Sequence, residues 1–212
     1  MSAIDVQARL AELAAEASVC TACKLCDQRT QAVFADGSPT ADLMFIGEGP
    51  GQHEDEQGLP FVGRGGQLLN RLLDGVGMKR EDVYIANVVK CRPPRNRDPQ
   101  PDEIEACKHF LADQIRLVDP AVVMTMGNFS TKLLLKTQTG ITRMRGMVVP
   151  WWGRVVIPTF HPAAALRNGE KMVATMQGDF ELAAQTIAEH QRAPEPPAAD
   201  PSAEPEQLGL FG

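Results

Sequence analysis

Apolar residues fall along this chain in short continuous runs, separated by longer segments in which they recur every three or four positions. Runs at 43–46, 83–89, 121–126 and 155–160 are rich in Val, Ile, Met and Phe. They have strand length and little polar alternation, the pattern of strands buried on both faces. Helical spacing fills 65–76, 102–118 and 128–136, and further helices at about 4–19 and 172–190 flank the set. Strand alternating with helix predicts an α/β fold, a central, mostly parallel four-stranded sheet covered by helices on both faces. Ligands of such sheets sit beyond the carboxyl ends of the strands. Gly47-Glu48-Gly49 follows the first run, Asn87 ends the second, Gly127-Asn128 follows the third and His161-Pro162 follows the fourth. The unusual chemistry is therefore expected on one rim.

Composition narrows the picture. With 212 residues and 43% hydrophobic content, one sizeable core is expected, formed by residues 1–190, with 191–212 a Pro-, Ala- and acid-rich tether. The net charge is −6, but Glu195, Asp200, Glu204 and Glu206 lie in the tail, so the body carries only about −2. Such a body can hold nucleic acid if its basic residues share a face. No run is long enough to span a bilayer, and the N-terminus carries Asp5 and Glu12, unlike a secretory signal. A cytoplasmic protein without membrane contact is expected.

The glycine-rich stretch 47–63, GEGPGQHEDEQGLPFVG, invites a phosphate-binding reading, which its own residues oppose. A P-loop places Lys and Ser or Thr after its last glycine, whereas Glu54, Asp55 and Glu56 stand here and would repel a polyphosphate. A flat, uncharged ligand fits better. Four of the five cysteines fall as Cys20-x-x-Cys23, Cys91 and Cys107, a set that in a cytoplasmic protein suggests metal. Zinc and an iron–sulfur cluster both accept four thiolates, and the spacing does not separate them. Cys26 extends the first pair to C-x-x-C-x-x-C, or is a fifth cysteine that does not ligate.

The segments CTACKLCDQRTQAVF, GEGPGQHEDEQGLPFVGRGGQLL, VYIANVVKCRPPRNRDPQPDEIEAC and PTFHPAAALRN, spread over about 16–185, closely resemble the family 4 uracil-DNA glycosylases. The resemblance implies the uracil-DNA glycosylase fold and a structural [4Fe–4S] cluster on Cys20, Cys23, Cys91 and Cys107. It also implies hydrolysis of the bond between uracil and deoxyribose in DNA, the first step of base excision repair. By the same resemblance, Phe61 stacks on the flipped base, Asn87 reads its N3–H and O4, and backbone N–H groups at Glu48 and Gly49 approach a carbonyl. Glu54 lies where thymine would carry its methyl group. His161 donates to O2 as negative charge develops on the leaving base, and Glu48 stabilises the sugar cation or orients water. Residues 88–106 hold no His and no insertion of the kind by which some relatives form a covalent adduct, so ordinary turnover is expected.

Lys90, Arg92, Arg95 and Arg97 put four positive charges into eight residues beside Cys91, and Arg143, Arg145, Arg154 and Arg167 add to them. Their position near the rim suggests contact with DNA phosphates. Leu166, before Arg167, is the candidate wedge at the extrusion site. The tail ends in Gln207-Leu208-Gly209-Leu210-Phe211, which looks like the short peptide by which bacterial repair proteins dock on the DNA sliding clamp. A monomer is expected. Two other classes keep the cysteines in use: an iron–sulfur nucleic-acid-binding protein that cleaves nothing, and an electron carrier. The carrier has no need of Asn87 or His161.

Overall fold

The computed structural model describes residues 2–192, so the Gln207, Leu208, Leu210 and Phe211 peptide lies outside the described residues. The strands are β1 (Asp36–Gly37), β2 (Leu43–Gly47), β3 (Tyr84–Asn87), β4 (Val122–Met126), β5 (Val149–Trp151) and β6 (Arg154–Thr159). The helices are α1 (Ala3–Val19), α2 (Gln52–Gln57), α3 (Arg64–Asp74), α4 (Pro101–Val118), α5 (Asn128–Leu134), α6 (Ile141–Met144), α7 (Pro162–Asn168) and α8 (Glu170–Arg192).

Among the described residues, one sheet carries six strands in the order β1-β3-β2-β4-β6-β5. Its four central strands are parallel and are the four expected from the apolar runs. Two antiparallel edge strands bring the sheet to six, a correction to the expected count. Both are too short to show a period: β1 has two residues, and β5 carries Pro150, which an edge tolerates because one of its sides forms no ladder.

Each central strand buries both faces. On β2, Met44 and Ile46 enter the core shared with α1, α4 and α5, while Leu43 and Phe45 enter the core shared with α3 and α8. The covering helices show the matching stripes. Val6, Leu10, Leu13 and Ala17 are buried on α1, and Met176, Phe180, Ala183 and Ile187 on α8, at spacings of three and four. Ser2 caps α1 in a reciprocal pair with Asp5. The result is a three-layer α/β/α arrangement. Among the described residues, no helix is long and apolar enough to cross a membrane.

The chain leaves β2 on one side to form β3 and returns on the other to form β4, so the topology switches direction beside β2. In parallel sheets this is where the loops part and a crevice opens.

Candidate functional site

The residues singled out from the sequence meet at that switch point. Gly47 and Asn87 end their strands as direct neighbours in the β2–β3 register. The pairing runs on past them, with Val88 N–H donating to Gly47 O and Val89 N–H to Glu48 O. A Cβ at Gly47 would collide with Asn87 Oδ1 and come within 2.7 Å of the Phe61 ring. Glycine at 47 thus lets the Asn87 amide and the Phe61 ring close directly onto the end of β2. His161 enters from the end of β6, its ring centroid 5.8 Å from that of Phe61. Asn87, Phe61 and His161, distant in sequence, are thus brought together at one end of the sheet.

Asn87 is 2% exposed, and its Oδ1 has no hydrogen-bond partner among the described residues. An orphaned buried acceptor costs about 1–3 kcal/mol. It is retained at the carboxyl end of β3, the rim at which parallel sheets bind their ligands.

His161 is the N-cap of α7, and its Nδ1 accepts the Ala163 N–H at 3.2 Å. Accepting at Nδ1 leaves the proton on Nε2, so the imidazole presents an N–H donor. Burial, reinforced by the Arg167 charge and only partly opposed by Glu54, pushes its pKa down to about 4. At neutral pH the ring is an uncharged donor. Glu48 shows the opposite shift. Partial burial, then repulsion from and a hydrogen bond to Asp98, raise its carboxyl to about 7.

Glu54 lies on α2, and its Oε1 accepts the N–H groups of Val62 and Gly63 at 3.0 and 3.2 Å. The carboxylate thus ties α2 to the segment carrying Phe61. Gly49 sits on the rim against Val89 and Pro93. Phe61 is buried at φ 52, a left-handed conformation seldom taken by an aromatic residue.

Cys20, Cys23, Cys91 and Cys107 come together on the α1–α4 side of the sheet, around a cavity of about 20 Å³ that Cys26 also borders. Among the described residues, no three His, Cys, Asp or Glu side chains are spaced to hold a metal ion. Four thiolates are a donor set that both zinc and an iron–sulfur cluster accept, and the thiols border one shared space. Donors already face them. Arg29 Nη1 donates to Cys91 Sγ at 3.2 Å and to Cys20 O at 2.8 Å, and the Lys90 N–H donates to Cys107 Sγ at 3.3 Å. Burial pushes the thiols of Cys23 and Cys91 up and that of Cys107 to about 11. Asp55, buried on α2, accepts the Thr30 N–H with both carboxylate oxygens, fastening the loop after the cysteines to the glycine-rich segment.

The basic residues divide. Lys90, read from the sequence as a surface cation, is 1% exposed. Its Nζ donates to Asn87 O at 2.8 Å and Gln114 Oε1 at 2.5 Å, and burial lowers its pKa to about 8. Arg97 forms a two-pronged pair with Glu103, a residue 1% exposed. Arg145 pairs with the fully buried Asp179, and Arg154 with Asp119. Arg92 Nε donates to Asn96 Oδ1, while Arg95 and Arg167 are exposed. Leu166 packs, partly buried, against the core beneath α8. Sequence reasoning missed Asp98, Arg29 and the inward course of Lys90. A lysine directly after Val88-Val89 continues an apolar run, the one signal that favoured burial.

Comparison with known proteins gives a consistent result. The family model of the uracil DNA glycosylase superfamily matches residues 34–185. The chain is 49% identical over 151 residues to a type-4 uracil-DNA glycosylase of Thermotoga maritima, covering 70% of this chain and 79% of that protein. It is 46% identical over 165 residues to one of Saccharolobus solfataricus, with 74% and 76% covered. A third, from Sulfurisphaera tokodaii, is 44% identical over 168 residues, with 75% and 76% covered. Cys20 and Cys23 precede the superfamily match.

Proposed function

We infer that this chain, which belongs to the uracil DNA glycosylase superfamily, is a uracil-DNA glycosylase that hydrolyses the N-glycosidic bond of uracil in DNA and leaves an abasic site. The observation that carries the reading at the level of the site is the buried, unpartnered Asn87 Oδ1 beside Phe61 and His161. Uracil, flipped out of the helix, offers an N3–H donor to that oxygen and stacks on the Phe61 ring. The amide NH₂ of Asn87 then donates to O4.

Cleavage leaves negative charge on the base and positive charge on the sugar. His161 Nε2–H donates to O2, where the bond strengthens as the charge develops, so it lowers the barrier more than it aids binding. A neutral imidazole suits this role, because it keeps its proton and acts by polarity. Backbone N–H groups at Glu48 and Gly49 supply further dipoles. Glu48, as carboxylate, faces the sugar cation or orients the water whose hydroxyl ends on C1′ while its proton balances the departing base. Glu54 occupies the side of the pocket toward C5, its position fixed by Val62 and Gly63 N–H, and crowds a thymine methyl.

Cys20, Cys23, Cys91 and Cys107 would hold a [4Fe–4S] cluster, which supplies cross-linking of α1, the loop after β3 and α4. The hydrolysis moves no electrons, so the role of these four residues is to fix the loop that carries Arg92, Arg95 and Arg97. Arg92, Arg95 and Arg167 meet phosphates, Arg97 shapes the loop through Glu103, and Leu166 fills the gap left by the extruded nucleotide. The enzyme works as a cytoplasmic monomer on DNA. The Gln207-Leu208-Gly209-Leu210-Phe211 ending is a tethering peptide for the sliding clamp. Calorimetry of residues 200–212 with purified clamp tests that part, and absence of heat with intact peptide removes it.

The deciding assay incubates the protein with uracil-containing single- and double-stranded oligonucleotides and reads free uracil and alkali-labile sites. Both are expected. Asn87→Ala should lower the single-turnover rate by on the order of a hundredfold or more, while its thermal midpoint holds or rises because the orphaned acceptor is gone. Folded protein that releases no base would sink the enzyme reading.

A further inference from the structure

Phe61 holds its ring in the pocket from a backbone conformation that aromatic residues avoid, at φ 52. Such a conformation persists only where the surroundings over-determine it. One side chain reaches the two carbonyls that define this bend. From the turn Arg80–Asp82, Arg80 Nη2 donates to Pro60 O at 2.5 Å and Nη1 to Phe61 O at 3.2 Å. The same Nη1 lies 3.4 Å from Asn70 Oδ1 on α3. Its Nε donates to Asp36 Oδ2 on β1 at 2.5 Å, and both partners are largely sheltered, with side chains 23% and 31% exposed.

The guanidinium is thus pinned from behind by an edge strand and points its planar fork at the bend. The opposite side of the segment is closed by Glu54, which takes the N–H groups of Val62 and Gly63. From α3, Gly66 presses so closely that a Cβ there would overlap Phe61 O. With its carbonyl held by Arg80 and the following N–H groups by Glu54, the peptide plane after Phe61 has no freedom to turn. A planar five-donor group suits the task, since it reaches two carbonyls and an anchor at once, which a lysine ammonium on a single flexible stem does not.

We propose that Arg80, anchored by Asp36, is a positioning residue for uracil recognition: it locks the strained peptide that presents the Phe61 ring to the flipped base. This rests on Phe61 being the stacking surface. The edge strand β1, which contributes nothing else to the pocket rim, thereby acquires a function as the mount for the guanidinium. Arg80 is neither a phosphate contact nor a group that touches the reacting atoms, so its effect travels through Phe61 alone.

A double-mutant cycle on the full-length protein tests this, with single-turnover cleavage of uracil DNA as readout. Phe61→Ala comes first. If it cleaves at the wild-type rate, the stacking reading itself fails, independently of Arg80. With Phe61→Ala impaired, Arg80→Met is expected to lose roughly ten- to a hundredfold in rate. The double variant should be no slower than Phe61→Ala alone, and Arg80→Lys should fall between. Multiplicative losses would overturn the proposal, as would a wild-type rate in Arg80→Met. A second readout separates positioning from general loosening. Arg80→Met should bind DNA carrying a non-cleavable uracil nucleotide more weakly, yet bind abasic-site DNA, which has no base to stack, as wild type does. Equal weakening of both overturns it. Should Arg80→Met fail to fold, Asp36→Asn, which keeps the guanidinium and frees its anchor, is read in the same cycle with the same expectations at smaller amplitude.

Discussion

At His161 the fold fixes a protonation state together with a position. The Ala163 N–H occupies Nδ1, and the sheltered ring, beside Arg167, stays neutral down to about pH 4. Removing one such donor typically costs about a hundred- to a thousandfold in rate. His161→Ala should show that loss in single-turnover cleavage at pH 7.5. The same burial has a stability signature of defined sign. Because the folded pKa lies below the ordinary 6.5, the unfolded chain binds the proton more readily between pH 6.5 and 4. Stability is fully present above that window and falls as pH drops through it. Urea unfolding at pH 7 and pH 5 should therefore show a larger decrease for wild type than for His161→Ala, and equal decreases would contradict the neutral-ring assignment. Asn87 and His161 stood out in the sequence because each closes an apolar run, and Phe61 only through the long glycine-rich motif that carries the family resemblance. Asp98 and Lys90 were not, since a carboxylate partner or a buried ammonium is defined by what the chain brings beside it.

Among the elements, the loop after β3 sets the chemistry of the loop after β2. Asp98 contributes repulsion and a hydrogen bond to the upward shift of Glu48. If Glu48 acts as carboxylate, cleavage should rise as pH increases through about 7. Asp98→Asn removes the repulsion, so the inflection in a single-turnover pH profile should move lower, toward the ordinary carboxylate range, with burial alone still holding it up. An unmoved inflection would separate the two residues. On the far side of the pocket, α8 holds the end of β6 through Asp179, which accepts from Arg145 and, at 2.7 Å, from Thr159 Oγ1, two residues before His161. Arg145→Met leaves a fully buried carboxylate without its cation. Such a loss costs about 3–5 kcal/mol, a fall in thermal midpoint on the order of 10 °C for a chain of this size, readable by calorimetry. The basic residues looked alike in the sequence because a positive charge carries no record of its partner. Arg145, Arg154 and Arg97 prove to be committed to acids contributed by α8, the chain after α4 and α4 itself.

Across the whole molecule, two faces of one sheet divide the work. The α1–α4 face gathers the thiols, the α3–α8 face supports Phe61 and His161, and Lys90 joins them by donating its N–H to Cys107 and its ammonium to Asn87 O. If the four thiols hold the proposed iron–sulfur cluster, anaerobic removal of iron by chelation should abolish visible absorbance and lower the thermal midpoint by roughly 10 °C or more, because binding only to the folded state is folding free energy. Loss of colour with no change in midpoint would deny the thiols their cross-linking role. The sequence by itself determined the alternation of strand and helix, the placing of Gly47, Asn87 and His161 at the strand ends, and the four cysteines that the fold brings together. These are written as local periodicity and as motifs long enough to be specific. Only the tertiary structure decided the two short edge strands, the tautomer of His161, the pairing of Glu48 with Asp98, the inward turn of Lys90 and the clamp of Arg80 on the Phe61 bend. Each of these depends on burial and on contacts between residues far apart in the chain, and neither quantity exists until the layers have packed.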